Sequence, residues 1–313
     1  MSFTSDIKQE IANVKLEKHC QKAQLSALML LCSSLTISKG DLGLLVRSES
    51  ATSSKRSMFL LKNLYDVETI LQVAKKTNLK KNNVYTIEVE KNGKQILEDL
   101  GLYSQRGLES HPSYDIIMRN CCASAYLAGA FLAYGSCNDP QNPNYHLEIA
   151  LQEIEYANFI VKLISRFDIQ AKIAKRRSRY VVYLKKADYV SGFLALIGAH
   201  DAMMRFEDER IARDLKNSVS RIDNCEIANV EKSIRAGQKQ IAYIQKIREY
   251  GKLEKLPEKL RNVAEIRERY PESSLLELCD AYQKNYGEAI SKSGMKHRLN
   301  KIESYADSLE DKL

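Results

Sequence analysis

The sequence predicts an α+β protein made of a duplicated unit, followed by a small all-helical domain. Three observations carry this. Two apolar, helix-forming runs, 23–35 and 123–136, lie about a hundred residues apart. Each is followed by a similar succession of strands and helices. From about Met203 onward the strand signal disappears. The 313 residues suit two or three domains and can bury a core without disulfides. Charged residues make up 28% and prolines number only five, which excludes wholesale disorder.

In chain order, the first apolar run reads AQLSALMLLCSSL, with helical composition. A β-like piece at Leu44–Arg47 follows, then a helical pattern from Met58 to Ala74. Val84-Tyr-Thr-Ile-Glu-Val89 alternates as a half-buried strand does. A short helix at Gln95–Leu100 precedes Gly101 and a loop to Pro112. The second apolar run, ASAYLAGAFLAYGS, restarts the order. A Pro/Asn loop at 138–143 leads to a strand at Tyr145–Leu151, a helix at Ile154–Phe167, a basic hairpin at 170–185 and a helix at Ala187–Ile197. A period near 100 residues is too long for a solenoid, so two copies of one unit would pack about a pseudo-two-fold axis. The predicted domains are therefore 1–204, with repeats at about 5–110 and 112–200, then a helical linker at 205–255 and a helical domain at 256–313. Ile222, Ile227, Val230, Ile234, Ile241, Ile244 and Ile247 are the apolar positions of the linker, and Gly251 ends it.

Charge is unevenly placed. The net charge is +8, and residues 172–186 hold seven Lys/Arg and no acid. Without those seven, 41 bases face 40 acids. Lysines on a sheet edge can simply prevent edge-to-edge pairing. The concentration at Lys175, Arg176, Arg177 and Arg179 exceeds that need and favours phosphate contact. No apolar run reaches the length of a membrane span, and Met1–Glu10 lacks a signal peptide's basic start and apolar middle. A cytoplasmic protein is expected. Seven cysteines with no CxxC pair read as reduced, mostly buried thiols. His19 and Cys20 are adjacent, and adjacent side chains on a helix diverge, so no metal site is expected. His111, His146 and His200, like His19, have no Ser/Asp or Cys partner at a recognisable spacing. GxxxxGK[ST] and GxGxxG are both absent. No cofactor, catalytic residue or small-molecule substrate is expected.

Leu127-Ala-Gly-Ala-Phe-Leu-Ala-Tyr-Gly135 is the most specific string in the first two-thirds of the chain. Gly129 and Ala133, four apart, open one face to close helix approach. Gly135 is placed to end the helix in a left-handed conformation. The string and the duplication resemble the LAGLIDADG fold of homing endonucleases, in which such helices pack at the centre of two αββαββα halves. Leu25-Ser-Ala-Leu-Met-Leu-Leu-Cys-Ser33 stands where the other copy belongs. In that family an acid precedes the terminal Gly of each copy and the two acids hold Mg²⁺. This sequence has Cys32 and Tyr134 there, neither a hard oxygen anion, so the resemblance implies a fold without the cutter. A nuclease with relocated ligands would need Asp41 and Asp139.

Near the C-terminus, Ser274 and Glu277 form a capping box before Leu275, Leu278 and Cys279. Ser291 can cap a second helix, whose Met295, Leu299 and Ile302 share one face. The opposite face shows Lys292, Ser293, Lys296, His297 and Arg298, and Lys292–Lys301 contains no acid. This is a helix-turn-helix pattern, about Ser274 to Ala306. Ile290-Ser-Lys-Ser-Gly-Met-Lys-His-Arg-Leu299 resembles the bacterial WhiA family. So do Asn224–Ser233, Leu256–Arg267 and Phe3–Glu10. That family combines a degenerate LAGLIDADG domain with a C-terminal helix-turn-helix. The resemblance implies a non-enzymatic, sequence-specific binder of double-stranded DNA at the nucleoid. It also implies a role in cell division and chromosome segregation, transcriptional control, and protein partners in either process. Ser291, Lys292, Ser293, Lys296, His297, Arg298 and Lys301 would hold the DNA. Arg298 is the first choice for reading guanine. Lys175, Arg176, Arg177 and Arg179 would add salt-sensitive affinity, unless the first domain serves as a protein-interaction platform.

Overall fold

A computed structural model describes residues 2–38, 41–75 and 83–309. The chain divides into two compact units, Met1–Ala212 and Arg213–Leu313. In chain order the first unit opens with α1 (Phe3–Asn13), α2 (Lys18–Cys32), β1 (Ser33–Ser38), β2 (Asp41–Ser48), α3 (Ala51–Tyr65), β3 (Ile70–Lys75), β4 (Asn83–Val89) and α4 (Gly93–Asp99). A small hairpin of β5 (Tyr103–Ser104) and β6 (Gly107–Leu108) and the turn α5 (Tyr114–Ile117) lead to the second copy. It comprises α6 (Asn120–Tyr134), β7 (Gly135–Cys137), β8 (Leu147–Leu151), α7 (Ile154–Ser165), β9 (Lys172–Arg176), β10 (Arg179–Leu184) and α8 (Ala187–Leu196). The long α9 (His200–Glu249) contains the division between the units. The second unit continues with α10 (Glu258–Arg269), α11 (Leu275–Tyr286) and α12 (Lys292–Asp307).

The two copies fold alike. Their antiparallel sheets have the orders β1-β2-β4-β3 and β7-β8-β10-β9. The expected αββαββα halves are therefore present. At the centre, α2 and α6 pack along their lengths and are buried nearly all round, with Leu25, Leu28, Met29, Leu127, Phe131 and Leu132 in one core. Each such side chain contributes about 1.5–3 kcal/mol by leaving water. A Cβ on Gly129 would strike the Gln24 carbonyl and lie 2.9 Å from the Ala27 Cβ. This glycine sets how closely the helices approach.

Two arginines, Arg56 buried and Arg166 exposed, tie the chain to these helices. Arg56 on α3 donates to Gln24 Oε1 at 2.7 Å, to Ala12 O at 3.0 Å and to Val14 O at 3.1 Å. It thereby fixes the link from α1 to α2. Arg166, following α7, does the same before α6, donating to Ile117 O at 2.8 Å and Met118 O at 2.9 Å. The Glu10 carboxylate caps α9, accepting from the N–H groups of Asp201 and Ala202 at 2.7 and 3.1 Å.

Several expectations need correction. The helical pattern from Met58 to Ala74 stops at Tyr65, where Asp66 turns left-handed at φ 51°. Residues 70–75 instead pair with β4 as an edge strand, because their β-branched and apolar residues fit a pleated ladder. The first apolar run leaves helix at Cys32 and continues as β1. Gly135 is extended, at φ −75°, not left-handed. Glycine is needed there because a Cβ would meet the Phe131 ring and lie 2.6 Å from its carbonyl oxygen. The seven thiols are not mostly buried: Cys121 and Cys225 are exposed, and Cys32 and Cys279 are half-buried. In the 205–255 segment, Ile244 and Ile247 belong to the second core, whereas Ile222, Ile227 and Val230 are exposed. Finally, His19 and Cys20 do meet, with Nδ1 and Sγ 3.2 Å apart. Their Cβ atoms diverge, but the imidazole is long enough to fold back. No helix among the described residues is long and apolar enough to cross a membrane.

Candidate nucleic-acid interface

The second unit is built to present α12. Arg267 on α10 is only 2% exposed. Its Nη1 donates to the carbonyls of Tyr270, Pro271 and Ser273, the last at 2.7 Å. This fixes the turn into α11. The predicted capping box opens α11: Glu277 accepts from Ser274 N at 2.7 Å and Ser274 Oγ from Glu277 N at 3.3 Å. Gly287, left-handed at φ 72°, closes α11. Ser291 then caps α12, its Oγ accepting from Gly294 N at 3.1 Å. Met295, Leu299, Ile302 and Ala306 recur at three- and four-residue steps and are buried with Leu278, Tyr282 and Val263. At the far end Lys239 Nζ of α9 meets Glu303 Oε1 at 2.7 Å, and that bond holds the Glu303 carboxyl below its ordinary range.

With the apolar face fixed, the opposite face is determined. Ser291, Lys292, Ser293, Lys296, His297 and Lys301 are all exposed, on the first two and a half turns of α12. Arg298 is not with them. It is half-buried, its Nη1 donating to Tyr282 Oη at 2.9 Å and its guanidinium lying 5.3 Å from that ring's centre. A helix turns about 100° per residue, so position 298 falls between the solvent face and α11. Arg298 therefore joins the two helices, and the outward cations are lysines.

The basic segment forms the edge hairpin of the second sheet. Arg176 pairs with Arg179 across a two-residue turn at Arg177-Ser178. Arg177 sits left-handed at φ 53°, where glycine is the usual occupant and another residue costs about 1 kcal/mol or more. Lys175, Arg176, Arg177 and Arg179 are exposed. They are not equally disposed. Arg176 meets Glu148 at 3.0 Å, a carboxylate that also meets His146 at 2.7 Å. Lys175 lies over the Tyr180 ring, 5.8 Å from its centre. Arg177 and Arg179 stand at the tip.

Cys32 and Tyr134 are the last residues of α2 and α6. Burial pushes the Cys32 thiol up to about 12 and lowers the Lys8 ammonium beside it to about 8. Tyr134 is raised by burial and by Cys32, with the Arg179 charge opposing. Protonated groups, the cations Lys8 and Arg179 and one carboxylate, Glu49, thus surround this end of the paired helices. Asp139 is used in its own loop, accepting from Gln141 N at 3.0 Å. Asp41 opens β2, and its side chain lies outside the described residues. One constellation was missed in the sequence: the ligand atoms of His19, Cys20, Cys121 and Cys122 lie within 4.8 Å of one another.

Comparison with known proteins gives one family along the whole chain. Residues 18–103 match the model of the WhiA N-terminal LAGLIDADG-like domain and 123–216 that of the WhiA LAGLIDADG-like domain. Residues 219–306 match the WhiA C-terminal HTH domain. The chain is 43% identical over 310 residues to the probable cell division protein WhiA of Bacillus cereus (strain AH187), covering 99% of this chain and 97% of that one. A crystal structure of full-length DUF199/WhiA from Thermatoga maritima matches with a TM-score of 0.60 and 26% identity, covering 98% of this chain and 99% of the other. A crystal structure of the N-terminal LAGLIDADG domain of DUF199/WhiA shares the fold, at a TM-score of 0.50 and 24% identity over 63% of this chain and 90% of that one.

Proposed function

The chain belongs to the WhiA family, and on that footing we propose that it is a sequence-specific DNA-binding protein that regulates transcription in cell division and chromosome segregation, at the nucleoid and without catalysing a reaction. The observation that carries this reading is the outward face of α12. Short polar and basic groups, Ser291, Lys292, Ser293, Lys296, His297 and Lys301, project from the first two and a half turns of a helix whose other face is locked into a core shared with α9, α10 and α11. Such a helix enters a major groove with its first turns against base edges, while flanking cations hold phosphates. Arg177 and Arg179 on the β9–β10 hairpin add sequence-independent affinity.

Magnesium prefers hard oxygen ligands, and the two positions that would hold it carry a high-pKa thiol and a phenol beside the charges of Lys8 and Arg179, which supports a reading without catalysis. The test is selection of genomic fragments near physiological salt by the wild type and by Lys296→Ala/His297→Ala. Discrete sites retained by the wild type and lost by the variant support the reading. Equal, unselective retention by both overturns it. Mg²⁺-dependent nicking that vanishes in Asp139→Asn would overturn the non-enzymatic part.

A second reading concerns the first sheet alone. Its edge strand β3 exposes Ile70, Leu71 and Val73. An apolar edge suits a protein partner better than DNA.

A further inference from the structure

The two central helices begin at residues 18 and 120, and their second and third positions are His19-Cys20 and Cys121-Cys122. The duplication thus places two adjacent donor pairs at equivalent points, and the packing of α2 against α6 brings them together. His19 Nδ1 lies 3.2 Å from Cys20 Sγ and 3.3 Å from Cys122 Sγ. All four donor atoms fall within 4.8 Å of one another. In a tetrahedron with Zn–S of about 2.3 Å and Zn–N of about 2.0–2.1 Å, neighbouring donors are about 3.5–3.8 Å apart. The four groups therefore need only a small adjustment to surround one ion.

We propose that His19, Cys20, Cys121 and Cys122 form a structural zinc site that staples the N-terminal ends of α2 and α6. Three thiolates and one imidazole are soft donors that select zinc over magnesium or calcium. Four protein ligands close the coordination sphere, so the site is structural and leaves no position for a reacting water. On binding, three thiol protons pass to solvent and the site carries one net negative charge. The positive ends of both helix dipoles offset it, and Arg119 stands at the N-cap of α6 beside Cys121 and Cys122. Cys20 and Cys122 are buried, whereas His19 and Cys121 are exposed and give the ion a way in. The site is at the opposite end of the paired helices from Cys32 and Tyr134, so it is no remnant of a Mg²⁺ centre there.

The experiment uses the full chain, purified with reductant, stripped of metal and titrated with Co²⁺, then Zn²⁺. One Co²⁺ per chain is expected, with tetrahedral visible bands and thiolate-to-cobalt charge transfer, displaced by Zn²⁺. Cys121→Ser removes one of three thiolates at an exposed position that packing does not depend on. It should fold normally, lose about a third of the charge-transfer intensity and bind Co²⁺ about ten-fold or more weakly. His19→Gln should also weaken binding, whereas Cys225→Ser should leave it unchanged. Zinc should raise the Tm of the wild type more than that of Cys121→Ser. Absence of a tetrahedral cobalt spectrum overturns the proposal. So does binding indifferent to Cys121→Ser and His19→Gln, or a disulfide within the cluster that persists under reductant.

Discussion

The two halves of the first unit share topology and differ in what they carry at equivalent positions. Their sheets have matching strand orders, and Arg56 and Arg166 hold corresponding stretches of backbone. Yet the edge strand of the first half is Ile-Leu-Gln-Val-Ala-Lys and that of the second is Lys-Ile-Ala-Lys-Arg. Across the central helices, Ala27 meets Gly129, and His19-Cys20 faces Cys121-Cys122. A symmetric dimer must place one residue type on both sides of its axis. A duplicated chain need not. One side can shrink to glycine so the other keeps a methyl group, and one edge can hold charge while the other holds apolar side chains.

The largest test of the comparison is the arginine pair. Arg56→Ala leaves two carbonyls and Gln24 without their buried partner and should cost about 3–4 kcal/mol in chemical denaturation. Arg166→Ala, at an exposed site where water can substitute, should cost about 1 kcal/mol. Equal losses would mean the two clamps are interchangeable. Next is the central seam: Gly129→Ala forces a methyl group onto the Gln24 carbonyl and should destabilise by about 2 kcal/mol. Ala27→Gly relieves no clash and should cost about 1 kcal/mol through helix propensity. A stabilised Gly129→Ala variant would show that the close approach is not required.

The edges come third. Arg177→Gln/Arg179→Gln should make the slope of log affinity against log salt shallower by about one for each phosphate that is no longer neutralised. Ile70→Thr/Val73→Thr, at the other edge, should leave that slope unchanged. A slope insensitive to the arginine changes would remove the second sheet from the DNA-binding account. The smallest expected effect is on stability at the hairpin turn. Arg177→Gly should gain about 1 kcal/mol by relaxing the left-handed backbone, while losing one cation. No gain would mean that the turn stores no strain.

Much of the architecture was legible in the sequence because it rests on local chemistry. The duplication, the close-packing face at Gly129, the capping box at Ser274 and the serine cap at Ser291 each depend on residues a few positions apart. Residues 70–74 read as the end of a helix because an apolar run of that length fits a helix or a strand until a partner strand is available. Pairing with β4 decided it.

By itself, the sequence determined the two-copy plan, the terminal helix-turn-helix and the acid-free run from Lys292 to Lys301, since periodicity and caps act within one or two turns. Only the tertiary structure decided which of those cations face outward. Arg298, expected to read bases, lies on Tyr282, sixteen residues away, because the crossing of α11 and α12 brings that ring within reach. The convergence of His19-Cys20 with Cys121-Cys122 was hidden for the same reason. Adjacent residues on one helix cannot surround an ion, but two such pairs on helices packed in contact can, and nothing within either segment announces the other.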